Sequence, residues 1–228
     1  MLTTGLAFRT VLFDVDGTLI DSNGAHALSW QQALAEHGHP VPVGEVRRFI
    51  GMGGDKLLPG LSGIEEESAA GKAIIARKKA LFTTHLPTLE PTRGARVLLE
   101  YLRQHGVTTI VATSAGDDEV AALLARANVA DLLQARASKD DAARSKPDPD
   151  IVHAALSRAD AEADGAVMVG DTPYDVEAAN RAGIPAIALR CGRTWPDVDL
   201  AGAIAIFDDP AALLSHWRQC DASPRLTA

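Results

Sequence analysis

The sequence has few of the features that mark membrane, secreted and nucleic-acid-binding proteins. No apolar run approaches the roughly 18 residues that a membrane span needs. No basic segment followed by an apolar stretch opens the chain, so we expect no signal peptide. The formal net charge of −8 argues against a nucleic acid or an anionic membrane as a partner. The only cysteines, Cys191 and Cys220, lack the spacing of a metal site or a redox pair, and we interpret them as thiols of a reducing cytoplasm.

Aromatic side chains are also scarce. Phe, Trp and Tyr make up 4% of the chain, whereas hydrophobic residues as a whole make up 46%. The core must therefore be built mainly from Ala, Leu, Val and Ile. The length of 228 residues suits one large domain, or one full domain with an insertion.

Short apolar segments rich in β-branched residues recur along the chain, with helical patterns between them. The strand-like segments are residues 9–15, 107–113, 132–138, 165–171, 185–190 and 203–209. Helical periodicity covers residues 93–106, 117–129, 149–160, 172–183 and 209–219. This alternation predicts an α/β fold in which a doubly wound parallel sheet carries helices on both faces. We expect the chain beyond residue 219 to be irregular.

Residues 22–92 interrupt the alternation and form what we call the helical block. Helical patterns cover residues 24–38, 43–50 and 65–86, and the glycine-rich stretch GMGGDKLLPGLSG separates the second from the third. We interpret the block as a small second domain inserted after the first strand. Residues 1–21 and 93–228 then form the core.

Polar side chains follow the strands at the points where the strands end. In open parallel sheets, ligands bind beyond the carboxyl ends of the strands. We therefore expect one crevice to gather Asp14, Asp16, Ser114, Lys146, Asp171 and Asp175. So many carboxylates in one place need a divalent cation, and an all-oxygen ligand set suits Mg²⁺. Mg²⁺ together with a lysine and loop amides suits a phosphoryl group.

Four short stretches contain these residues, and they resemble the motifs of the haloacid dehalogenase superfamily of phosphotransferases in their order and their spacing. They are DVDGTLIDS, VATSAG, SKPDPDI and GDTPYDVEAANRAG. The resemblance covers residues 9–21 and about 93–207, and it implies a Rossmann-like core. The helical block resembles the cap that follows the first motif in the branch containing phosphoglycolate phosphatases and β-phosphoglucomutases.

The resemblance implies a role for each motif residue. Asp14 would be the nucleophile that forms an aspartyl-phosphate, and Asp16 would protonate the leaving alkoxide and then activate water. Asp14, Asp171 and the backbone carbonyl of Asp16 would bind Mg²⁺, and Asp175 would bond to metal-bound water or to Lys146. Lys146 and Ser114 would hold phosphate oxygens, with Thr113 as the alternative to Ser114.

The favoured function is that of a Mg²⁺-dependent phosphatase acting on a small phosphorylated metabolite. A phosphosugar mutase is an alternative, although mutases of this type carry an acid in place of Gly170. A phosphonate hydrolase with Lys56 as a Schiff base, or a non-catalytic phosphate-binding protein, is less favoured. Arg47, Arg48 and Lys56 either face the substrate and set specificity or form a solvated helix face. The histidines have no ligand spacing, and we interpret them as structural or surface residues.

Overall fold

The computed structural model describes residues 8–222, and the inner strands of its central sheet are buried on both faces. In β1 (Thr10–Phe13), Val11 and Phe13 pack into one hydrophobic cluster, whereas Leu12 packs into the other. Side chains alternate in this way because neighbouring residues of a strand point to opposite faces. The further strands are β2 (Thr108–Ala112), β3 (Ala135–Ala137), β4 (Ala166–Gly170), β5 (Ala186–Leu189) and β6 (Ala205–Phe207). All pair in parallel in the order β3-β2-β1-β4-β5-β6, which confirms the predicted fold class.

Helices connect and cover these strands. In chain order they are α1 (Asn23–Glu36), α2 (Val43–Arg47), α3 (Gly54–Ser62), α4 (Ala69–His85), α5 (Ala95–Gln104), α6 (Asp117–Arg126), α7 (Asp150–Arg158), α8 (Pro173–Arg181) and α9 (Pro210–Ala222). The last helix continues beyond residue 219, where we expected irregular chain. The remainder of that expected segment lies outside the described residues, as do residues 1–7 of the predicted core. No helix within residues 8–222 has both the length and the apolar character needed to cross a membrane.

The helical block comprises α1 to α4 and packs around a hydrophobic cluster of its own. That cluster includes Trp30, Leu34, Leu57, Leu58 and Ile74. Helix α3 corrects the sequence interpretation, which assigned no helix to the glycine-rich stretch. The helix forms because Leu57 and Leu58 are buried in the block, and Gly63 ends it in a left-handed conformation with φ of 72°.

The two crossings between the block and the core lie side by side. The backbone N–H of Asp21 donates to the carbonyl of Glu90 over 2.9 Å, and that of Thr92 donates to Leu19 over 3.1 Å. The division of the chain near residues 21 and 93 remains a prediction.

The strand order also determines where this crevice lies. From β1 the chain builds β2 and β3 on one side, and then crosses to β4 on the other side of β1. The carboxyl ends of β2, β1 and β4 therefore lie next to one another. This reversal is the place where open α/β sheets bind ligands.

Candidate active site

Lys146 lies at the centre of the crevice and is fully buried. Its Nζ lies 2.6 Å from Asp14 Oδ1 and 2.7 Å from Asp175 Oδ1. Burial alone would lower the pKa of Lys146, but the two carboxylates outweigh this effect and raise it. The ammonium group therefore stays charged and links the end of β1 to the first turn of α8.

Asp14, Asp171 and Asp175 form a buried cluster in which one carboxylate oxygen of each residue lies within 4.8 Å of one from each of the others. Burial, followed by repulsion from Asp175 and Asp16, raises the pKa of Asp14 to about 7 despite Lys146. Burial, followed by repulsion from Asp175 and Asp14, raises the pKa of Asp171 well above its usual value. One ammonium group thus faces three carboxylates. The excess negative charge and the all-oxygen donor set fit a divalent cation.

Asp171 is enclosed by glycine backbone on two sides. A Cβ at Gly17 would lie 2.3 Å from Asp171 Oδ2, and a Cβ at Gly192 would lie 1.7 Å from the same oxygen. Gly17 also has φ of 76°, which disfavours other residues. Asn23 donates to Asp171 over 2.8 Å, and Thr18 donates over 3.2 Å. These contacts therefore restrict the Asp171 carboxylate to an orientation in which it lies close to Asp14 and Asp175.

Asp16 lies beside this cluster in separate surroundings. Its Oδ1 accepts a hydrogen bond from the Ser22 hydroxyl and lies 2.8 Å from Nε2 of His26, whose ring stacks on Phe82. Burial alone would raise the pKa of Asp16, but His26, Ser22 and Lys78 together lower it. The resting site therefore holds Asp16 in its ionised form. Sequence reasoning treated His26 as structural, although its place one helical turn after the first motif was a usable signal.

Thr113 and Ser114 follow β2 and differ in their hydrogen bonding. The Thr113 hydroxyl accepts the backbone N–H of Ala115 over 3.2 Å. The Ser114 hydroxyl is buried and has no hydrogen-bond partner within residues 8–222. Buried polar groups are rarely left unpaired. Ser114 therefore has the freer hydroxyl for a ligand.

A cavity of about 80 Å³ joins Asp14, Asp16, Thr113 and Ser114 to the helical block, whereas the buried Lys146, Asp171 and Asp175 are not among its lining residues. Its lining includes Asp14, Asp16, His26, Trp30, Gly51, Met52, Gly53, Gly54, Lys78, Thr113, Ser114 and Glu119. It shares Trp30, Lys78 and Glu119 with an adjoining cavity of about 430 Å³. The cavity is therefore roofed by the block and has a wider space on one side.

Lys78, in α4, is a cavity residue that the sequence interpretation missed. Its Nζ lies 3.0 Å from Glu119 Oε2 and 4.8 Å from the centre of the Phe82 ring. In the sequence it stands within the run Arg77-Lys78-Lys79, which is typical of a solvated helix face. Its burial depends on contacts with α6, which the local pattern does not reveal.

The structure does not bring Arg47, Arg48 or Lys56 into the lining of the cavity that contains Asp14. The guanidinium of Arg48 lies 5.3 Å from the ring centre of Trp195. Arg47 and Arg48 line a different cavity, together with Trp195. Lys56 pairs with Asp148 over 2.6 Å. The segment of the block that reaches the cavity here carries glycines at 51, 53 and 54 rather than cations.

Comparison with known proteins agrees with this arrangement. A family model described as haloacid dehalogenase-like hydrolase matches residues 11–189, which contain all four motifs. The chain belongs to this family. A phosphoglycolate phosphatase from Rhodospirillum rubrum is 33% identical over 90% of this chain and 89% of its own length. A validoxylamine A 7'-phosphate phosphatase from Streptomyces hygroscopicus is 30% identical over 80% of this chain and 85% of its own length.

A solved structure extends the agreement to the fold. A hydrolase from Pseudomonas syringae superposes with a TM-score of 0.86 and 29% identity, covering 92% of this chain and 98% of that one. The protein is therefore a phosphatase of the haloacid dehalogenase-like family, a hydrolase of phosphoric monoesters.

Proposed function

We propose that this phosphatase hydrolyses a small phosphomonoester in the cytoplasm in a Mg²⁺-dependent reaction, with phosphoglycolate as the first candidate. The observation that carries the proposal is one cavity of about 80 Å³ that contains Asp14, Asp16, Ser114 and Lys78. Its size suits a phosphoryl group with a compact leaving group. The carboxylate of phosphoglycolate is a group that the Lys78 ammonium would bind. The activity named for the R. rubrum relative supports this choice.

In the first step, a carboxylate oxygen of Asp14 attacks phosphorus, and the bond from phosphorus to the leaving oxygen breaks. Asp16 gives its proton to that oxygen, so the leaving group departs as an alcohol. Lys146 and the Ser114 hydroxyl hold phosphoryl oxygens. Asp16 is ionised in the resting site, and we expect the incoming phosphoryl anion to raise its pKa by like-charge repulsion.

In the second step, ionised Asp16 takes a proton from water, and the water oxygen attacks phosphorus. The bond between phosphorus and Asp14 breaks, and inorganic phosphate leaves. The contacts of Asp16 with His26 and Ser22 favour the ionised form that this step requires. One residue thus serves as acid and then as base.

We assign Asp14, Asp171 and the backbone carbonyl of Asp16 as Mg²⁺ ligands, with Asp175 held beside them by Lys146. When bound, Mg²⁺ would offset the negative charge of the phosphoryl group and of the carboxylate cluster. Lys146 alone leaves part of that charge uncompensated.

Two observations favour a phosphatase over a phosphosugar mutase. A Cβ at Gly170 would lie 2.4 Å from Asp175 Cγ, so an acid at this position would displace Asp175 from Lys146. Arg47, Arg48 and Lys56, the cations considered from the sequence for a second phosphate, also lie outside the cavity lining, and Lys78, which does line it, is already paired with Glu119 over 3.0 Å. The position of Lys56 equally disfavours a Schiff base with a substrate held at Asp14.

The test is phosphate release from a panel of esters with and without Mg²⁺. We expect hydrolysis of phosphoglycolate and p-nitrophenyl phosphate with Mg²⁺, loss of activity with a chelator, and recovery when Mg²⁺ is restored. β-Glucose 1-phosphate should not be converted to the 6-phosphate, as followed by phosphorus NMR. Isomerisation without release would establish the mutase instead. Phosphate binding without turnover of any ester would contradict an enzymatic role.

A further inference from the structure

The loop that carries Lys146 is held from outside by the first turn of α3. The carboxylate of Asp55 accepts the backbone N–H of Ser145 over 3.2 Å. The Lys56 ammonium donates to the carbonyl of Ser145 and to Asp148 Oδ2, the latter over 2.6 Å. Two consecutive residues of the helical block therefore bind both backbone groups of the residue before Lys146 and a side chain just after it.

The same contact includes a close approach of the Gly53 backbone to two side chains. A Cβ at Gly53 would lie 2.5 Å from Asp55 Oδ1 and 2.6 Å from Ser145 Cβ. Gly53 has φ of −77° and ψ of 168°, a conformation that most residues adopt. Glycine is thus needed here for close contact with Asp55 and the Lys146 loop and not for the local backbone conformation.

Lys146 depends on such contacts because no regular element includes it. It lies in irregular chain before α7, which begins at Asp150. Its ammonium must reach Asp14 and Asp175 at once, over 2.6 and 2.7 Å. A small shift of the Ser145 backbone would therefore lengthen at least one of these contacts.

The Lys56–Asp148 pair is also better shielded than an ordinary surface ion pair. The side chains are 26% and 19% exposed, whereas Lys79 and Asp118, which also join the block to the core, are 59% and 89% exposed. Charge-assisted hydrogen bonds are strong, and exposed pairs contribute little. Lys79 and Asp118 thus provide a matched control on the same interface.

We propose that Asp55 and Lys56 form a clamp through which the helical block positions Lys146 for phosphate binding. Lys56 is then a positioning residue that acts through Lys146, and it does not select the leaving group. The inference rests on the phosphate-binding role of Lys146 in the proposed function. It assigns to Lys56 a task different from the specificity role considered from the sequence.

The first test compares Lys56→Ala with wild type on two substrates of different size, phosphoglycolate and p-nitrophenyl phosphate. A clamp acts on the phosphoryl site that both share, so kcat/KM should fall on both by the same factor, about 10-fold or more. Lys56→Arg should recover part of the loss, since a guanidinium can also bind Asp148. Lys79→Ala should stay within about twofold of wild type.

A second variant and a second readout separate positioning from general destabilisation. Gly53→Ala is compatible with the local backbone, and it should reproduce the uniform loss by displacing Ser145 and the Asp55 carboxylate that binds it. Inhibition by inorganic phosphate, which has no leaving group, should weaken in both variants. Thermal unfolding should show that each variant is folded.

Three results would overturn the clamp. They are a loss confined to phosphoglycolate, unchanged kinetics in both variants, and a loss on both substrates with unchanged phosphate inhibition. If the wild type hydrolyses no ester, the proposed function fails. The clamp is then tested separately, by calorimetric titration of wild type and variants with inorganic phosphate in the presence of Mg²⁺. Weaker phosphate binding by Lys56→Ala and Gly53→Ala would support it, and wild-type binding would refute it.

Discussion

Nε2 of His26 lies 2.8 Å from Oδ1 of Asp16, so the helical block supplies a partner to the acid of the core's first motif. The ring of His26 is itself held by stacking on Phe82, with centroids 3.8 Å apart. In the proposed mechanism, the proton-transferring residue Asp16 is therefore oriented from the block, while the nucleophile Asp14 is oriented from the core by Lys146.

The first prediction concerns His26. His26→Asn should lower kcat by about 10-fold or more, because Asp16 loses a partner that orients it and favours its ionised form. Steady-state kinetics on phosphoglycolate would measure the change. His37→Ala serves as the control, because His37 follows α1 and its ring bonds to the nearby Ala33 carbonyl, away from Asp16. Equal activity of His26→Asn and wild type would remove His26 from the mechanism.

The second prediction concerns the nucleophile. Asp14→Asn should lose phosphate release by about 10⁴-fold or more, because an amide cannot form the acyl-phosphate. Circular dichroism would show that the variant is folded. A folded Asp14→Asn protein with wild-type turnover would refute nucleophilic attack by Asp14.

The third prediction separates the acid role of Asp16 from its base role. Alkoxides leave poorly without a proton, whereas p-nitrophenolate needs less help. In the pre-steady-state phosphorylation step, Asp16→Asn should therefore slow an alkyl ester by about 10²–10⁴-fold and the aryl ester much less. Rapid-quench measurement of both substrates provides the comparison. Equal slowing in that step would assign the proton donor to another group.

The fourth prediction concerns the leaving group. If Lys78 binds the substrate carboxylate, Lys78→Ala should reduce kcat/KM for phosphoglycolate by about 10- to 150-fold, which corresponds to roughly 1.5–3 kcal/mol. p-Nitrophenyl phosphate, which lacks a carboxylate, should be much less affected. Lys79→Ala is the neighbouring control, since its side chain is 59% exposed. A similar loss on both substrates would point to a structural role for Lys78.

The fifth prediction uses the pH dependence of stability. Hydrogen bonding to Lys56 is the main cause that lowers the pKa of Asp148 below its usual 3.8. The resulting stabilisation is present above that value and is lost as the pH falls through the lower pKa of the folded state. Between about pH 6 and about pH 3, the free energy of unfolding should therefore fall more for wild type than for Asp148→Asn. Urea unfolding measures the difference, which should shrink in a Lys56→Ala background.

Much of the core followed from the sequence because its information is local. Each of the six strand-like segments became a strand, since a short β-branched run flanked by polar or small residues has few other ways to bury itself. Asp14, Lys146, Asp171 and Asp175 come together because they stand at a strand end, before a helix or in its first turn, and parallel strands bring those ends to one edge. Order along the chain was sufficient to place them.

The inner face of the helical block was decided by tertiary structure alone. Helix α3 forms within a glycine-rich stretch because the block buries Leu57 and Leu58. Lys78 enters the cavity although its neighbours Arg77 and Lys79 remain more exposed. Lys56 meets the Ser145 carbonyl across a separation of 89 residues. Such pairings depend on how one packed unit rests on another, and no local period in the sequence encodes that placement.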